Sequence, residues 1–392
     1  MAKSLPAHRE PAISQNQLHS WKLVEDFRQR LVQATESYPL HASWEDPRRL
    51  LQLADYLSLL LMGLLNPSIK TMRGLCAASQ WQRVQEEICS RPVSLGSFSE
   101  AQAMVDPALL GLVFQQLVEQ QPVAQSFGDV RLAKYRQVLK AVDSTLWYVL
   151  PRMSWALWRS GQKAVRLHVK FLILEQHVSQ AELSHANLCE RKQWKKSAQK
   201  GDFYVGDRNF GEDYQLLRWM QQKGCGFVVR LRQVSQWVPE QALPLSQTDR
   251  AAGVSWDGWV RLGKNGDGPR VRLVRVAGAK EELLLVSDRQ PEDLSAELVG
   301  LIYRYRWQVE LFFRWLKCIF GCRHWLLHSP EGAAVQIYTA LIAAQLLVLY
   351  GGQKPNKRQM ELIQMYLLGW ATLQELCAGL KLSGPAGQKK LN

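Results

Sequence analysis

No apolar run in this 392-residue sequence reaches the roughly 20 residues that a bilayer-crossing helix needs. The two longest, "LADYLSLLLMGLL" (53–65) and "IYTALIAAQLLVLY" (337–350), fall short, and the second carries Gln345. Both are expected as buried helices of a soluble protein. The opening "MAKSLPAHREPAISQNQ" lacks an apolar secretion core, so a secretory signal is not expected. Cysteine is sparse: seven residues, an odd number scattered at 76, 89, 189, 225, 318, 322 and 377. That excludes a disulfide framework and fits reduced thiols in a cytosol-like compartment. There are no internal repeats, which excludes a solenoid. Acids are in short supply, 35 against 49 Lys and Arg, for a net charge of +14. A folded protein this basic is expected to meet a polyanion, nucleic acid being the commonest; the competing reading is a basic enzyme without such a partner.

What is present supports a substantial core: 47% of residues are hydrophobic and 21% charged. The length suggests two or three structural units. Residues 1–130 read as helical. An apolar period runs through "DPRRLLQLADYLSLLLMGLL", and a second helix is expected over "SIKTMRGLCAASQWQRVQEEI". Ser97 and Glu100 fit a capping box, and Asp106 with Pro107 fits a helix start. Such helices suit a DNA-binding module and an ordinary bundle equally. From about 135 the period shortens. "YRQVLKAVDSTLWYVL", "AVRLHVKFLILE", "GDFYVGD" and "GFVVRLR" read as strands, and "NFGEDYQLLRWMQQKG" reads as a helix closed by Gly224. Strands alternating with helices indicate an α/β sheet over 131–232, resumed by "LLLVSD" and running to 350. Between them, 233–282 is rich in Gly, Pro and strand-like pieces around the turn "KNGDG", and reads as a β-rich insertion. Residues 351–392 read as a short helix and a disordered tail.

Three acids stand out by context. Asp143 is expected at the end of one strand, in "KAVDSTLW", and Asp207 at the end of another, in "YVGDRNFG". Glu310 lies in "YRYRWQVELFFRWLK" (303–317). On one continuous helix Tyr303, Arg306, Glu310 and Lys317 fall at about 0°, 300°, 340° and 320°, a single polar arc. Tyr305, Val309, Phe312, Phe313 and Leu316 form the core stripe opposite. A carboxylate at a buried strand end needs something positive. Three converging acids suit hard cations, and a pair of ions about 4 Å apart can activate an attacking oxygen and stabilise the leaving oxygen of a phosphodiester. Arg306 and Lys317 are placed to hold phosphates, and Tyr303 to donate a hydrogen bond or stack.

The pattern Tyr-x-x-Arg-x-x-x-Glu-x-x-x-x-x-x-Lys, met by Tyr303, Arg306, Glu310 and Lys317, resembles the signature of the Insertion-Sequence-4 family of bacterial transposases. Asp143 and Asp207 look like the two aspartates of that family's Asp-Asp-Glu triad, and Arg208 follows as is usual there. The long gap to Glu310 is similar to members carrying a β-rich insertion. The resemblance covers most of the chain and matches the N-terminal region by position only. It implies a ribonuclease H-like catalytic core and two Mg²⁺ ions per site, with Mn²⁺ able to replace them, held by Asp143, Asp207 and Glu310. It further implies a homodimer on double-stranded DNA with terminal inverted repeats, strand transfer into target DNA, no membrane, and a bacterial, nucleoid-associated cytoplasmic setting. Tyr303, Arg306, Arg314 and Lys317 would contact DNA. An aromatic residue holds a flipped base in some relatives, for which Trp256, Trp259 and Trp307 are candidates. One departure is Asn209, where the family commonly shows Gly or Glu; asparagine tolerates a left-handed turn.

Duller readings compete. Asp143 could bond within a turn. Asp202 and Asp213 compete with Asp207, and Glu310 could pair with Arg306 and Arg314 on a helix surface. "CIFGCRH" with His328 superficially suggests zinc, but the spacing is wrong and packing thiols are expected. "RKQWKKSAQK" (191–200), with five basic residues, suits DNA backbone or a solvated loop.

Overall fold

A computed structural model describes residues 22–66, 68–120, 127–150, 153–159, 162–319, 325–351, 355–368, 370–372, 375–376 and 378–379. The opening segment, most of "CIFGCRH" and the last residues therefore lie outside the described residues, as do the expectations placed on them. The chain divides into two units, one of 1–124, 149–155 and 314–392, the other of 125–148 and 156–313.

In the first unit the helices are α1 (Lys22–Ser37), α2 (Leu53–Leu65), α3 (Met72–Ala78), α4 (Gln82–Glu87), α5 (Leu95–Ala101) and α6 (Pro107–Glu119). Asp106 caps α6 as expected, its carboxylate accepting from the Ala108 N–H at 2.9 Å with Pro107 in the first position. The helix expected across 68–88 is instead α3 and α4. Ser79 separates them: its Oγ donates to Cys76 O and accepts from Val93 N–H, tying the chain elsewhere. The cap of α5 is Ser94 rather than Ser97, accepting from the Ser97 N–H at 3.1 Å. Helix α2 is apolar on almost every side and correspondingly buried, packed on α1.

The second unit is built on a sheet. Its elements are β1 (Leu139–Tyr148), β2 (Leu157–Arg159), β3 (Gln162–Leu172), β4 (His177–His185), α7 (Glu190–Ser197), β5 (Phe203–Gly206), α8 (Arg208–Gly211), α9 (Tyr214–Lys223) and β6 (Gly226–Arg230). After them come β7 (Trp237–Ala242), α10 (Gln247–Ala251), β8 (Val254–Leu262), β9 (Arg270–Val276), β10 (Leu283–Ser287) and α11 (Ala296–Tyr305). Helix α12 (Trp307–Ile319) continues from this unit into the first, which also holds α13 (Pro330–Gly351) and α14 (Lys357–Leu367). Helix α13 packs on α6 and α2. By length and composition α13 could cross a bilayer, yet 78% of its apolar window is buried.

The ten strands form one sheet in the order β2-β3-β1-β5-β6-β10-β9-β8-β7, with β4 on β3. Strands β1, β5 and β6 run parallel, and β1, β3 and β4 form an antiparallel meander. The expected hairpin around "KNGDG" is β8 and β9. It is not a separate β domain: β9 pairs with β10, and β10 with β6, so 233–282 widens the same sheet.

A buried ion pair fixes that wider half. Arg272 and Asp257 are 1% and 3% exposed and meet bidentately at 2.8 and 2.6 Å, while the third guanidinium nitrogen donates to Leu294 O ahead of α11. Breaking such a pair strands one charge in the interior. Asp257→Ala is expected to cost about 3–5 kcal/mol, read as a lowered urea midpoint with an unchanged slope.

Candidate active site

Asp143 is not at the end of its strand. It lies mid-way along β1, opposite Val169 of β3. Pairing of β1 with β5, however, stops at Ala141, so beyond that residue one edge of β1 loses its parallel neighbour. Asp143 therefore stands where a strand end would, just outside the carboxyl end of β5. Asp207 follows β5 directly and caps α8, Oδ1 accepting from the Asn209 N–H at 2.9 Å. In open α/β sheets the crevice outside the carboxyl ends of parallel strands is where ligands bind.

Tight packing fixes the Asp207 turn. A Cβ at Gly211 would sit 2.2 Å from Arg230 O, so α8 lies directly against β6 and only glycine fits there. Asn209 is not left-handed; it lies within α8. The rival acids are engaged otherwise. Asp202 is buried between Lys140 at 2.7 Å and Tyr204 Oη at 2.6 Å, and Asp213 caps α9.

The helix expected to carry Tyr303 through Lys317 is interrupted at Arg306, where α11 ends and α12 begins. The Arg306 N–H is shared between Ile302 O and Tyr303 O, and Val309 N–H reaches back only to Arg306 O. Arg306 nevertheless keeps helical dihedrals, φ −50° and ψ −31°, and stays beside Tyr303 and Glu310 as neighbours on one helix face. Val309, Phe312, Phe313 and Leu316 are core as expected, but Tyr303 is buried too, and Tyr305 is half-buried against Phe127.

Arg306 meets two of the acids. Its Nη1 is 3.4 Å from Asp143 Oδ2 and its Nη2 2.6 Å from Glu310 Oε1; its guanidinium lies 5.6 Å from the Tyr303 ring centre. Asp207 is near enough that its charge opposes ionisation of Asp143. Burial pushes the Asp143 carboxyl up to about 7; Arg306 and the Ser144 N–H pull it down, while Asp207 and Glu190 add to the push. The structure thus gathers Asp143 and Glu310 around one guanidinium, with Asp207 in electrostatic reach. Among the described residues no three His, Cys, Asp or Glu side chains lie close enough together to hold a metal ion with Arg306 so placed. Further along α12, Arg314 is exposed and Lys317 lies two turns beyond Glu310. Trp307 is 48% exposed, whereas Trp259 is buried beneath Arg270.

One cluster was not expected. Glu190, at the start of α7, accepts from Ser144 Oγ, from Arg166 Nη1 and, at 2.7 Å, from Asn209 Nδ2. A cavity of about 30 Å³, room for a water, is lined by both Glu190 and Asp143. The sequence signal was an acid at the head of the basic run 191–200, which is largely a helix rather than a loop; Trp194 anchors it in the core and Lys192, Lys195 and Lys196 are exposed.

An acid whose folded pKa exceeds its unfolded value binds its proton more tightly when folded. Its contribution to stability is complete below pH 4 and is lost as pH rises to about 7. Asp143→Asn is therefore expected to melt increasingly above the parent as pH is raised from 4 to 8 in EDTA. A melting difference that does not vary with pH would contradict it.

Comparison with known proteins gives the family. The chain is 25% identical over 220 residues to a protein of Sinorhizobium fredii (strain NBRC 101917 / NGR234) named "Putative transposase y4zB", covering 54% of this chain and 60% of that one. It thus spans less than two thirds of that relative's length. A chain from the cryo-EM structure of the piggyBac transposase synaptic complex with hairpin DNA superposes with a TM-score of 0.45 and 11% identity, over 97% of this chain and 85% of that chain. The family model described as the transposase DDE domain matches residues 134–346, more than half of the sequence and the whole stretch that carries Asp143, Asp207 and Glu310. The chain belongs to the transposase DDE-domain family.

Proposed function

We propose that this transposase cuts DNA at the ends of a mobile element and joins the freed ends to target DNA, with Asp143, Asp207 and Glu310 as its catalytic acids. The observation that carries the reading is the meeting of Asp143 and Glu310, 167 positions apart in sequence, at the Arg306 guanidinium, with Asp207 beside Asp143. We place the chain in the Insertion-Sequence-4 group on its Tyr303, Arg306, Glu310 and Lys317 signature. A ribonuclease H-like core is supported by the meander of β1, β3 and β4 beside parallel β5 and β6, with one acid on β1 and the next just past β5.

The donor chemistry suits Mg²⁺, or Mn²⁺ in its place: all three proposed ligands are carboxylates, Asp143 is burdened by burial, and it and Glu310 already meet at one positive charge. Bound by Asp143, Asp207 and Glu310, two ions would supply Lewis-acid activation of the attacking oxygen and stabilisation of the leaving oxygen. The protein's own part is positional. Arg306, braced by Tyr303, keeps the two acids in register and offers a planar fork that matches a phosphate when it lets go of a carboxylate. Its Nε is buried without a partner among the described residues, a donor in reserve. Lys317 and Arg314, further along α12, are assigned to the DNA backbone, as is Tyr303 in a supporting role behind Arg306. The helices of 22–119 are proposed to bind the element's inverted repeats. The active form is proposed to be a homodimer on paired ends in a bacterial, nucleoid-associated setting.

The test uses a plasmid carrying the element's own ends. Asp143→Asn, Asp207→Asn and Glu310→Gln should each abolish nicking in Mg²⁺ while leaving end binding in EDTA intact. Continued cutting by any one removes that acid from the site. Products that are cut but never joined would point to a plain nuclease. Lys317→Ala should weaken end binding and reduce the slope of log affinity against log salt by about 1. An unchanged slope would deny Lys317 a phosphate.

A further inference from the structure

We infer that Glu190 and Asn209 form a strut that sets the spacing between Asp143 and Asp207, making both of them positioning residues for the reaction. This rests on the reading of those aspartates as catalytic acids. The two acids are carried by separate segments, β1 and the β5–α8 turn, and beyond Ala141 no backbone pairing joins the two. Past that point the connection described between them is through side chains, and Glu190 is its centre.

On one side Glu190 accepts from the hydroxyl of Ser144, the residue next to Asp143, and from Arg166 of β3. Arg166 Nη1 also donates to Ser144 Oγ at 2.8 Å, so three groups close on each other. On the other side Glu190 Oε2 accepts from Asn209 Nδ2 at 2.7 Å. Asn209 is in turn bound to the second acid, since its backbone N–H donates to Asp207 Oδ1 at 2.9 Å. Its remaining polar groups are engaged by Arg191, whose Nε donates to Asn209 O at 2.8 Å and whose Nη2 donates to Oδ1 at 3.1 Å. Each polar atom of the Asn209 side chain therefore has a defined direction, as does each oxygen of Glu190. Trp194, buried among Tyr204 and Phe210, keeps the helix bearing Glu190 and Arg191 fixed to the core.

This gives the departure at Asn209 a purpose. Glycine there would leave Glu190 Oε2 without its donor, and a glutamate would oppose it with like charge. An amide is the side chain that accepts from Arg191 and donates to Glu190 at once.

The experiment exchanges the two chemistries. Asn209→Asp sets a second carboxylate against Glu190, and Glu190→Gln turns an amide toward an amide and takes the charge away from Arg166. In the double variant the amide now at 190 donates to the carboxylate now at 209, Arg191 still donates to 209, and Ser144 and Arg166 still donate to 190. Each single variant is expected to lower the single-turnover nicking rate constant, and to weaken Mn²⁺ binding followed by electron paramagnetic resonance of the free ion, by roughly 10–100-fold. End-DNA affinity in EDTA should stay within about twofold of the parent, and the double variant should return both quantities to within about threefold, since the swap conserves every partner. The strut is overturned if the single variants keep the parental rate constant, if the double is no better than the worse single, or if the loss lies in the active fraction and melting temperature with the rate constant intact. Asp143→Asn and Asp207→Asn run alongside. If those nick normally, the active-site reading has failed and the strut with it. If they are dead and the swap does not rescue, the strut alone is lost.

Discussion

Acids crowded at one end of a sheet repel each other and lose water, and neither cost is tolerable without a positive charge among them. Here that charge is the Arg306 guanidinium, between Asp143 and Glu310. Arg306 lies within one helical turn of both Tyr303 and Glu310, so its guanidinium stacks over the Tyr303 ring, pairs with Glu310 along the helix and reaches across to Asp143 of β1. The buried face of α12, Val309, Phe312, Phe313 and Leu316, holds that helix in place. Electrostatics at the site and packing beneath it are one constraint.

The sequence displayed the acids and the cation more readily than the geometry joining them. Asp143 and Asp207 could be singled out because a carboxylate at the end of a buried strand is costly, and Glu310 because its spacing from Tyr303, Arg306 and Lys317 is visible in the sequence. So was the cap at Asp106, whose chemistry is local, and the closure at Gly224, which adopts the left-handed conformation expected of it. The position of Asp143 within its strand was not visible, because the local pattern does not say where a neighbouring strand stops pairing. The helical wheel grouped Tyr303 with the polar arc; that its ring is buried, with the Arg306 guanidinium over it, depends on tertiary packing that periodicity does not show. The β-rich stretch was legible as strands but not as an extension of the same sheet, since joining β9 to β10 is a long-range choice.

Glu190 shows the same limit from the other side. Next to a basic run it looks like one half of a helical ion pair, and its partners Ser144, Arg166 and Asn209 come from three other elements. Only the folded sheet puts Ser144 and Asn209 on either side of one carboxylate. The arrangement also explains how +14 of net charge coexists with an acidic centre. The exposed cations Lys192, Lys195 and Lys196 lie on the outer face of α7, and the acid of its first turn faces inward, so one short helix separates a basic surface from an anionic interior.

On the proposed reading, the strand that carries Asp143 must satisfy opposed demands. It has to be rigid enough to fix a carboxyl group, and open enough on that side for a scissile phosphate. Strand β1 meets both by asymmetry. Its pairing with β3 runs from Lys140 to Tyr148, so Asp143 is held on that edge through both of its neighbours in the chain. Its pairing with β5 ends two residues earlier, at Ala141, which leaves the other edge open toward Asp207. A shorter β1 would free Asp143 to drift, and a longer β5 would fill the gap with backbone hydrogen bonds. The mismatch in length between two parallel strands therefore leaves room beside Asp143, and it obliges side chains rather than backbone to connect the two aspartates across it.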